Sequence, residues 1–109
     1  MTDKIVVLST CESEAQASQI AHALVEKHLP ACVNVIPGAR SIYRWNGKVE
    51  DSAEWLLLIK SRRDLFTALH TELQKLHTYE VPEAIALPII DGSGPYLSWL
   101  DHETLPPSA

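Results

Sequence analysis

One short segment combines an imidazole with two carboxylates: His77 is followed by Glu80 and Glu83. Imidazole and carboxylate ligands suit Cu²⁺ or Zn²⁺, and histidine binds a metal as the neutral ring. The segment therefore predicts His77 and Glu83 as metal ligands, with Cu²⁺ or another divalent cation as the metal. The alternative is a structural loop in which Glu80 or Glu83 accepts backbone hydrogen bonds. No His-x-x-x-His or Cys-x-x-Cys pair accompanies the segment, so the structural loop is favoured over the metal site.

A second group of residues combines aromatic and polar side chains that could line a ligand cleft between subunits. Alternate residues from Ser41 to Trp45 point to one side of a predicted hairpin, and Glu50 and Glu54 follow in its returning arm. Polar groups among aromatic walls are typical of ligand pockets. The alternative, favoured because the hairpin requires an interface, is that the aromatic residues anchor contacts between subunits. The candidate cleft residues are Ser41, Tyr43, Trp45, Glu50, Lys60, Tyr79, Glu80, Tyr96 and Trp99.

The chain contains two cysteines, Cys11 and Cys32, which indicate no disulfide framework and fit a reducing cytosol. Cys32 lies in an apolar predicted strand, where a free cysteine behaves as a small hydrophobic residue, so packing in the core is favoured over metal ligation. Cys11 falls in the predicted loop before the first helix; if it is exposed near the N-terminus of that helix, the pKa of its thiol is lowered and its reactivity is raised. No base follows at a spacing that would complete a nucleophile pair, so we assign no catalysis to it.

These residues must be positioned by elements that the sequence pattern predicts in order. Ile5–Ser9 is rich in β-branched residues and predicts a buried strand. Ser13 with Gln16 has the spacing of a capping box, and the apolar period that follows predicts a helix to about Leu29. Pro30 is expected to end that helix.

Residues 31–45 and 48–60 predict two long strands joined by Asn46-Gly47, a dipeptide suited to a type I′ turn. Pro37-Gly38 interrupts the first strand and predicts a bend or bulge. Arms of this length would span roughly 45 Å, more than a small domain can cover, so the tip would project into solvent with unpaired edges. We therefore expect strand pairing between subunits.

The second half of the chain predicts another helix and strand. Ser61 is a candidate N-cap, and the apolar stripe of the helix is formed by Leu65, Phe66, Leu69, Leu73 and Leu76. Ala84–Ile90 predicts a final buried strand, Tyr96–Asp101 a short last helix, and Pro106–Ala109 a frayed tail. The order β-α-β-β-α-β predicts an α+β, ferredoxin-like fold with a right-handed crossover, in one domain covering residues 1–109.

Composition excludes some classes of function. The net charge of −5 and the scattered basic residues argue against nucleic acid and anionic membranes as partners. The apolar run near the N-terminus has four residues, shorter than a secretory signal or a membrane span requires, so a cytoplasmic location is expected.

An acylphosphatase-like enzyme would need an arginine-bearing, anion-binding loop after the first strand, but residues 10–13 read TCES. An RNA-binding domain would need exposed aromatic residues in a basic central strand, and residues 53–58 are acidic and apolar.

Several motifs in order resemble the CutA divalent-cation tolerance protein family: ALVEKHLPACVNVIPG (residues 23–38), SIYRWNGKVE (41–50), EWLLLIK (54–60), HTYEVPE (77–83) and YLSW (96–99). The resemblance covers the chain from Ile5 to about Asp101. It implies a ferredoxin-like fold assembled as a stable homotrimer, similar in architecture to the PII signalling proteins. It also implies a role in tolerance to divalent metals, copper above all. A PII-like signalling role, or a scaffold that binds no metal, is the alternative.

Two positions depart from the pattern of that family. The family usually has His-Pro-Tyr-Glu where this chain has His77-Thr78-Tyr79-Glu80, and the missing proline restores a backbone N–H at the end of the second helix. Some bacterial members have a cysteine, a proposed copper ligand, where this chain has Ser9. A thiolate copper site is therefore not expected at that position.

The expected partners are other copies of the same chain and a metal ion or small anion.

Overall fold

The computed structural model describes residues 2–104, so the predicted frayed tail, 106–109, lies outside the described residues. The elements in chain order are β1 (Lys4–Cys11), α1 (Glu14–Glu26), β2 (Cys32–Trp45), β3 (Lys48–Arg62), a 3₁₀ turn (Arg63–Leu65), α2 (Phe66–Leu76), β4 (Ile85–Pro88) and α3 (Gly94–His102). The strands form an antiparallel sheet in the order β2-β3-β1-β4. The predicted α+β, ferredoxin-like architecture is confirmed.

The core lies between one face of the sheet and the first two helices. Alternate residues of β1, Ile5 and Val7 among them, are buried there with Leu57 and Ile59 of β3. The helices contribute apolar stripes at helical spacing: Ile20 and Leu24 from α1, and Leu69 and Leu73 from α2. Each such side chain stabilises the fold by about 1.5–3 kcal/mol through removal of apolar surface from water. The apolar periods of the sequence predicted both stripes correctly.

Helix α1 begins as predicted and ends earlier than predicted. The Ser13 hydroxyl accepts a hydrogen bond from the backbone N–H of Gln16 at 3.2 Å. At the other end His28 adopts a left-handed conformation, with φ of 58°. The N–H groups of His28 and Leu29 then donate to carbonyls in the last turn, the Schellman arrangement, and the side chain of Leu29 is buried. The helix therefore stops before Pro30 is reached.

The N-cap predicted at Ser61 is wrong. Strand β3 continues to Arg62, and the Ser61 hydroxyl instead donates to the backbone carbonyl of Leu29 at 2.7 Å, inside the core. The second helix begins through the 3₁₀ turn, which has no side-chain cap. A serine before a helical pattern locally favours an N-cap. Here the serine hydroxyl bonds instead to the carbonyl of a residue distant in sequence, and it does not cap the helix.

The long hairpin and its tight turn are confirmed. Both turn residues have positive φ, 50° at Asn46 and 78° at Gly47, as a type I′ turn requires. The predicted bulge is also present: Ile36 lies opposite Leu56 and Ala39 lies opposite Glu54, so the intervening Pro37-Gly38 pair faces a single residue. The hairpin gives the molecule an elongated shape of 43 × 25 × 22 Å.

The face of the sheet opposite α1 and α2 is apolar and largely uncovered in the single chain. We call it the open face; its ladder-aligned residues include Val6, Leu8, Leu58, Ile85 and Leu87. Strand β4 was expected to be buried, and this is wrong for the isolated chain. It is a four-residue edge strand, in which Ile85 is 51% and Leu87 is 47% exposed.

Two further expectations concern Cys32 and the last helix. Cys32 was expected in the core, but it lies opposite Lys60 and is half-buried on the open face, so that expectation is wrong. Helix α3, predicted near residues 96–101, forms with Ser93 as its N-cap. It is anchored by Asp101, whose carboxylate accepts hydrogen bonds from Lys4 at 3.1 Å and Arg62 at 3.4 Å.

Candidate functional site

A cavity of about 420 Å³ opens beside the distal half of the hairpin. We call it the hairpin cleft; its lining residues are Tyr43, Trp45, Glu54, Thr78, Tyr79, Glu80 and Val81. Two segments far apart in the sequence form it: the arms of the hairpin, and the loop between α2 and β4. Three of the seven side chains are aromatic and two are carboxylates.

The bulge places the hairpin residues of the cleft on one face. Before the bulge, even-numbered residues of β2 such as Ile36 share a face with even-numbered residues of β3. After the bulge, the odd-numbered residues of β2 share a face with the even-numbered residues of β3, because Ala39 pairs with Glu54 and Tyr43 with Glu50. Tyr43 and Trp45 therefore point to the same side as Glu54. A regular ladder would have turned both aromatic side chains to the opposite side.

His77 holds the loop that forms the other wall. It is buried at the end of α2, and its Nδ1 accepts the backbone N–H of Tyr79 at 3.0 Å. Since Nδ1 is an acceptor, the proton is on Nε2, which donates to the carbonyl of Thr10 at 2.7 Å. The imidazole also contacts the ring of Tyr79, with 4.6 Å between centroids. His77 thus ties the loop to β1 and orients Tyr79.

Tyr79 and Glu54 join the two walls of the cleft. The Tyr79 hydroxyl donates a hydrogen bond of 2.5 Å to Oε2 of Glu54, whose residue is only 6% exposed. Burial, together with this bond and the neighbouring charges of Glu54 and Glu12, raises the pKa of Tyr79 far above its ordinary value. The phenol therefore stays neutral and acts as the hydrogen-bond donor of the pair.

Cys11 is not the exposed loop residue that would have been reactive. It is the last residue of β1, fully buried, with its sulfur 3.8 Å from Nε2 of His77. Burial, with smaller contributions from the charges of Glu54 and Glu12, raises the pKa of its thiol to about 11. The thiol is thus protonated and inert at neutral pH.

The predicted metal pair, His77 and Glu83, stays a prediction. Both ring nitrogens of His77 are engaged in the hydrogen bonds described above, and Glu83 is exposed. No group of three or more His, Cys, Asp or Glu side chains within residues 2–104 is arranged to hold a metal ion. A metal at this loop would need His77 to exchange one of its present partners, or ligands from another chain.

The predicted cleft residues separate into two groups in the single chain. Tyr43, Trp45, Tyr79 and Glu80 line the hairpin cleft, and Ser41 and Glu50 lie on the same face of the hairpin. The remaining three form a second cluster beside α3: Lys60, Tyr96 and Trp99.

In that second cluster the Lys60 ammonium lies 5.6 Å from the centroid of the Tyr96 ring and 3.4 Å from its hydroxyl. The rings of Tyr96 and Trp99 lie 5.5 Å apart.

Thr78 and Val81 of the hairpin cleft were not anticipated. Their position on either side of Tyr79-Glu80 was the available signal, since adjacent loop residues line the same wall.

Comparison with known proteins gives consistent relationships. Residues 5–103 match the family model described as "CutA1 divalent ion tolerance protein". The divalent-cation tolerance protein CutA of Thermus thermophilus is 50% identical over 99 residues, which cover 91% of this chain and 96% of that protein. The chloroplastic protein CutA of Arabidopsis thaliana is 44% identical over 100 residues, but these are only 55% of its length.

Among solved structures, the crystal structure of CutA from Xylella fastidiosa is similar with a TM-score of 0.91 and 42% identity. The match covers 94% of this chain and 98% of that one. None of the helices within residues 2–104 has the length and hydropathy needed to cross a membrane.

Proposed function

The chain belongs to the family of CutA1 divalent ion tolerance proteins, and from this we propose that it is a homotrimer that contributes to tolerance of divalent cations, copper in particular. We propose the hairpin cleft as its ligand site. The observation that carries this proposal is the Glu54 carboxylate, buried between aromatic walls and fixed by the hydroxyl of Tyr79.

Assembly is supported by the open face and by the hairpin. An apolar sheet face left in water promotes association, and the edges of β2 and β4 have unpaired backbone groups. We propose that other copies of the chain cover both features and, following the family resemblance, that three chains assemble. Leu87→Lys on the open face should dissociate the assembly, whereas Gln19→Lys on the exposed side of α1 should leave it intact.

The charge of the cleft favours a cation over an anion. Glu54 and Glu80 line it, and Glu12 is bound to its wall through the hydroxyl of Thr78 at 3.3 Å. These carboxylates would repel an anionic ligand and concentrate a positively charged one. The proposed occupant is therefore a metal ion or another small cation, and the small anion weighed above is disfavoured.

Native mass spectrometry with added Cu²⁺ tests metal binding. We expect a trimer that gains copper, with weaker binding in Glu54→Gln if the metal enters the cleft, or in His77→Ala if it enters at the loop. His22→Ala, an exposed histidine on α1, is the matched control and should bind like the parent. A trimer whose mass is indifferent to copper would refute the metal proposal and leave the assembly proposal standing.

A PII-like signalling protein or scaffold without a metal role is the second candidate. It is favoured by His77, whose two ring nitrogens already hold the loop to β1 and to Tyr79. Such a residue is needed for the shape of the loop whether or not a metal binds. On this account His77→Ala lowers stability in the absence of metal, and copper does not stabilise the parent protein.

We propose binding rather than catalysis. Beside the cleft, the Cys11 thiol is buried with its pKa raised to about 11 and Tyr79 is held as the neutral phenol, so neither is available as a nucleophile at neutral pH. We also propose the cytoplasm as the location, because Cys11 and Cys32 are both free thiols, as a reducing compartment allows. Detection of the tagged protein in fractionated cells checks this.

A further inference from the structure

We propose that the hairpin cleft selects a small organic ammonium compound carrying alkyl groups, in preference to a bare metal ion or a neutral molecule of the same shape. This inference rests on the proposed function only in taking the hairpin cleft as the ligand site. It depends on neither copper binding nor metal tolerance.

The aromatic walls are the first observation. Tyr43 and Trp45, each 43% exposed in the single chain, and the half-buried Tyr79 line the same cavity. The faces of aromatic rings attract alkylammonium ions by cation–π interaction, and their apolar surface removes the alkyl groups from water. A strongly hydrated metal ion gains little from such walls, because it must replace its water with oxygen or nitrogen ligands.

The second observation is a fixed negative charge beside those rings. Glu54 is almost fully buried, and Oε2 of its carboxylate is held by the hydroxyl of Tyr79. Glu80 adds an exposed carboxylate at the same cavity. An ammonium ion can be held by two carboxylates without a closed coordination sphere, whereas structural metal sites usually take four ligands.

The third observation is size. The cavity, at about 420 Å³, lies in the range of about 300–1,000 Å³ typical of small-molecule sites and far exceeds the volume of one metal ion. Rings, buried carboxylate and volume together define an organic cation by its charge, its apolar surface and its size.

The test compares choline with 3,3-dimethylbutan-1-ol, in which a carbon atom replaces the charged nitrogen. Isothermal titration calorimetry of the assembled protein should give at least about tenfold tighter binding of choline, since the rings and the carboxylates both act on the charge. The methyl protons of bound choline should also shift upfield in NMR spectra, because they lie over aromatic rings.

Variants assign the binding to the cleft. Glu54→Gln keeps the size of the side chain and should weaken choline binding by about tenfold or more while leaving the neutral analogue unaffected. Glu80→Gln, at an exposed position, should also weaken choline binding. This variant replaces Glu54→Gln in the test if Glu54→Gln fails to fold. Glu14→Gln on α1 makes the same charge change away from the cleft lining and should bind like the parent.

Three results would overturn the inference. They are equal affinity for choline and its neutral analogue, choline binding that neither glutamate variant weakens, and no binding of choline by a correctly assembled protein. The last would also be found if a side chain of a second copy filled the cleft. Copper titration of the same preparation separates the proposals, because an assembly that binds copper and ignores choline refutes only the ammonium class.

Discussion

Replacement of Tyr79 by phenylalanine would remove one hydroxyl and leave its ring in place. The ring contact with His77 at 4.6 Å should survive, so the change isolates the hydrogen bond to Glu54. A hydrogen bond to a charged group contributes about 1.5–3 kcal/mol, and here its loss leaves a nearly buried carboxylate without its donor. We therefore expect Tyr79→Phe to lower the free energy of unfolding by about 2 kcal/mol per chain.

Guanidinium denaturation at one fixed protein concentration measures this loss, because concentration affects the apparent stability of an oligomer. Tyr43→Phe is the matched control: its hydroxyl lies 3.5 Å from that of Ser52 on an exposed surface, and its loss should cost less than about 0.5 kcal/mol. A double-mutant cycle with Glu54→Gln should give a coupling above about 1 kcal/mol. Equal losses in Tyr79→Phe and Tyr43→Phe, or no coupling to residue 54, would refute the assigned role of the pair.

Three further predictions concern other parts of the molecule. Iodoacetamide at pH 8 should leave Cys11 unlabelled in the native protein, because burial raises the pKa of its thiol to about 11; peptide mass mapping that finds Cys11 labelled would contradict this. Gly47→Ala should lower the free energy of unfolding by about 1–2 kcal/mol through its φ of 78°, whereas Gly94→Ala, without a positive φ, should not. The pKa of Asp101 is lowered by hydrogen bonds from Lys4 and Arg62, so its stabilisation is complete above about pH 4 and is lost as the pH falls through the depressed value. Denaturation curves of Asp101→Asn and the parent should therefore differ at pH 7 and converge in strong acid, and a difference that grows in acid would be inconsistent with this ion pair.

Features set by neighbouring residues could be predicted from the sequence. The type I′ turn at Asn46-Gly47, the bulge at Pro37-Gly38 and the Ser13 cap each depend on a local conformational preference, and all three are present. The order of elements and the apolar stripes of α1 and α2 follow from hydrophobic period. Chain connectivity then allows few topologies.

Features that depend on distant partners could not be predicted in this way. Ser61 has the local character of an N-cap, but its hydroxyl is taken by a carbonyl 32 residues away. Strand β4 is apolar enough to be buried, yet whether it is buried depends on what covers the open face.

The site shows the same division. Tyr43, Trp45, Tyr79 and Glu80 could be selected as cleft residues by type, and they do line one cavity. The contact between Tyr79 and Glu54 spans 25 residues, and it depends on the bulge that reverses which side chains of β2 face the loop. Residue types alone do not reveal that reversal.

Sedimentation equilibrium over a dilution series tests the central claim, that other copies of this chain cover the open face and the hairpin. We predict a single species of three times the 12.1 kDa mass of the chain, persisting to low micromolar concentration. A monomer at that concentration would contradict the account, because it would leave the exposed Ile85 and Leu87 in water with nothing to cover them.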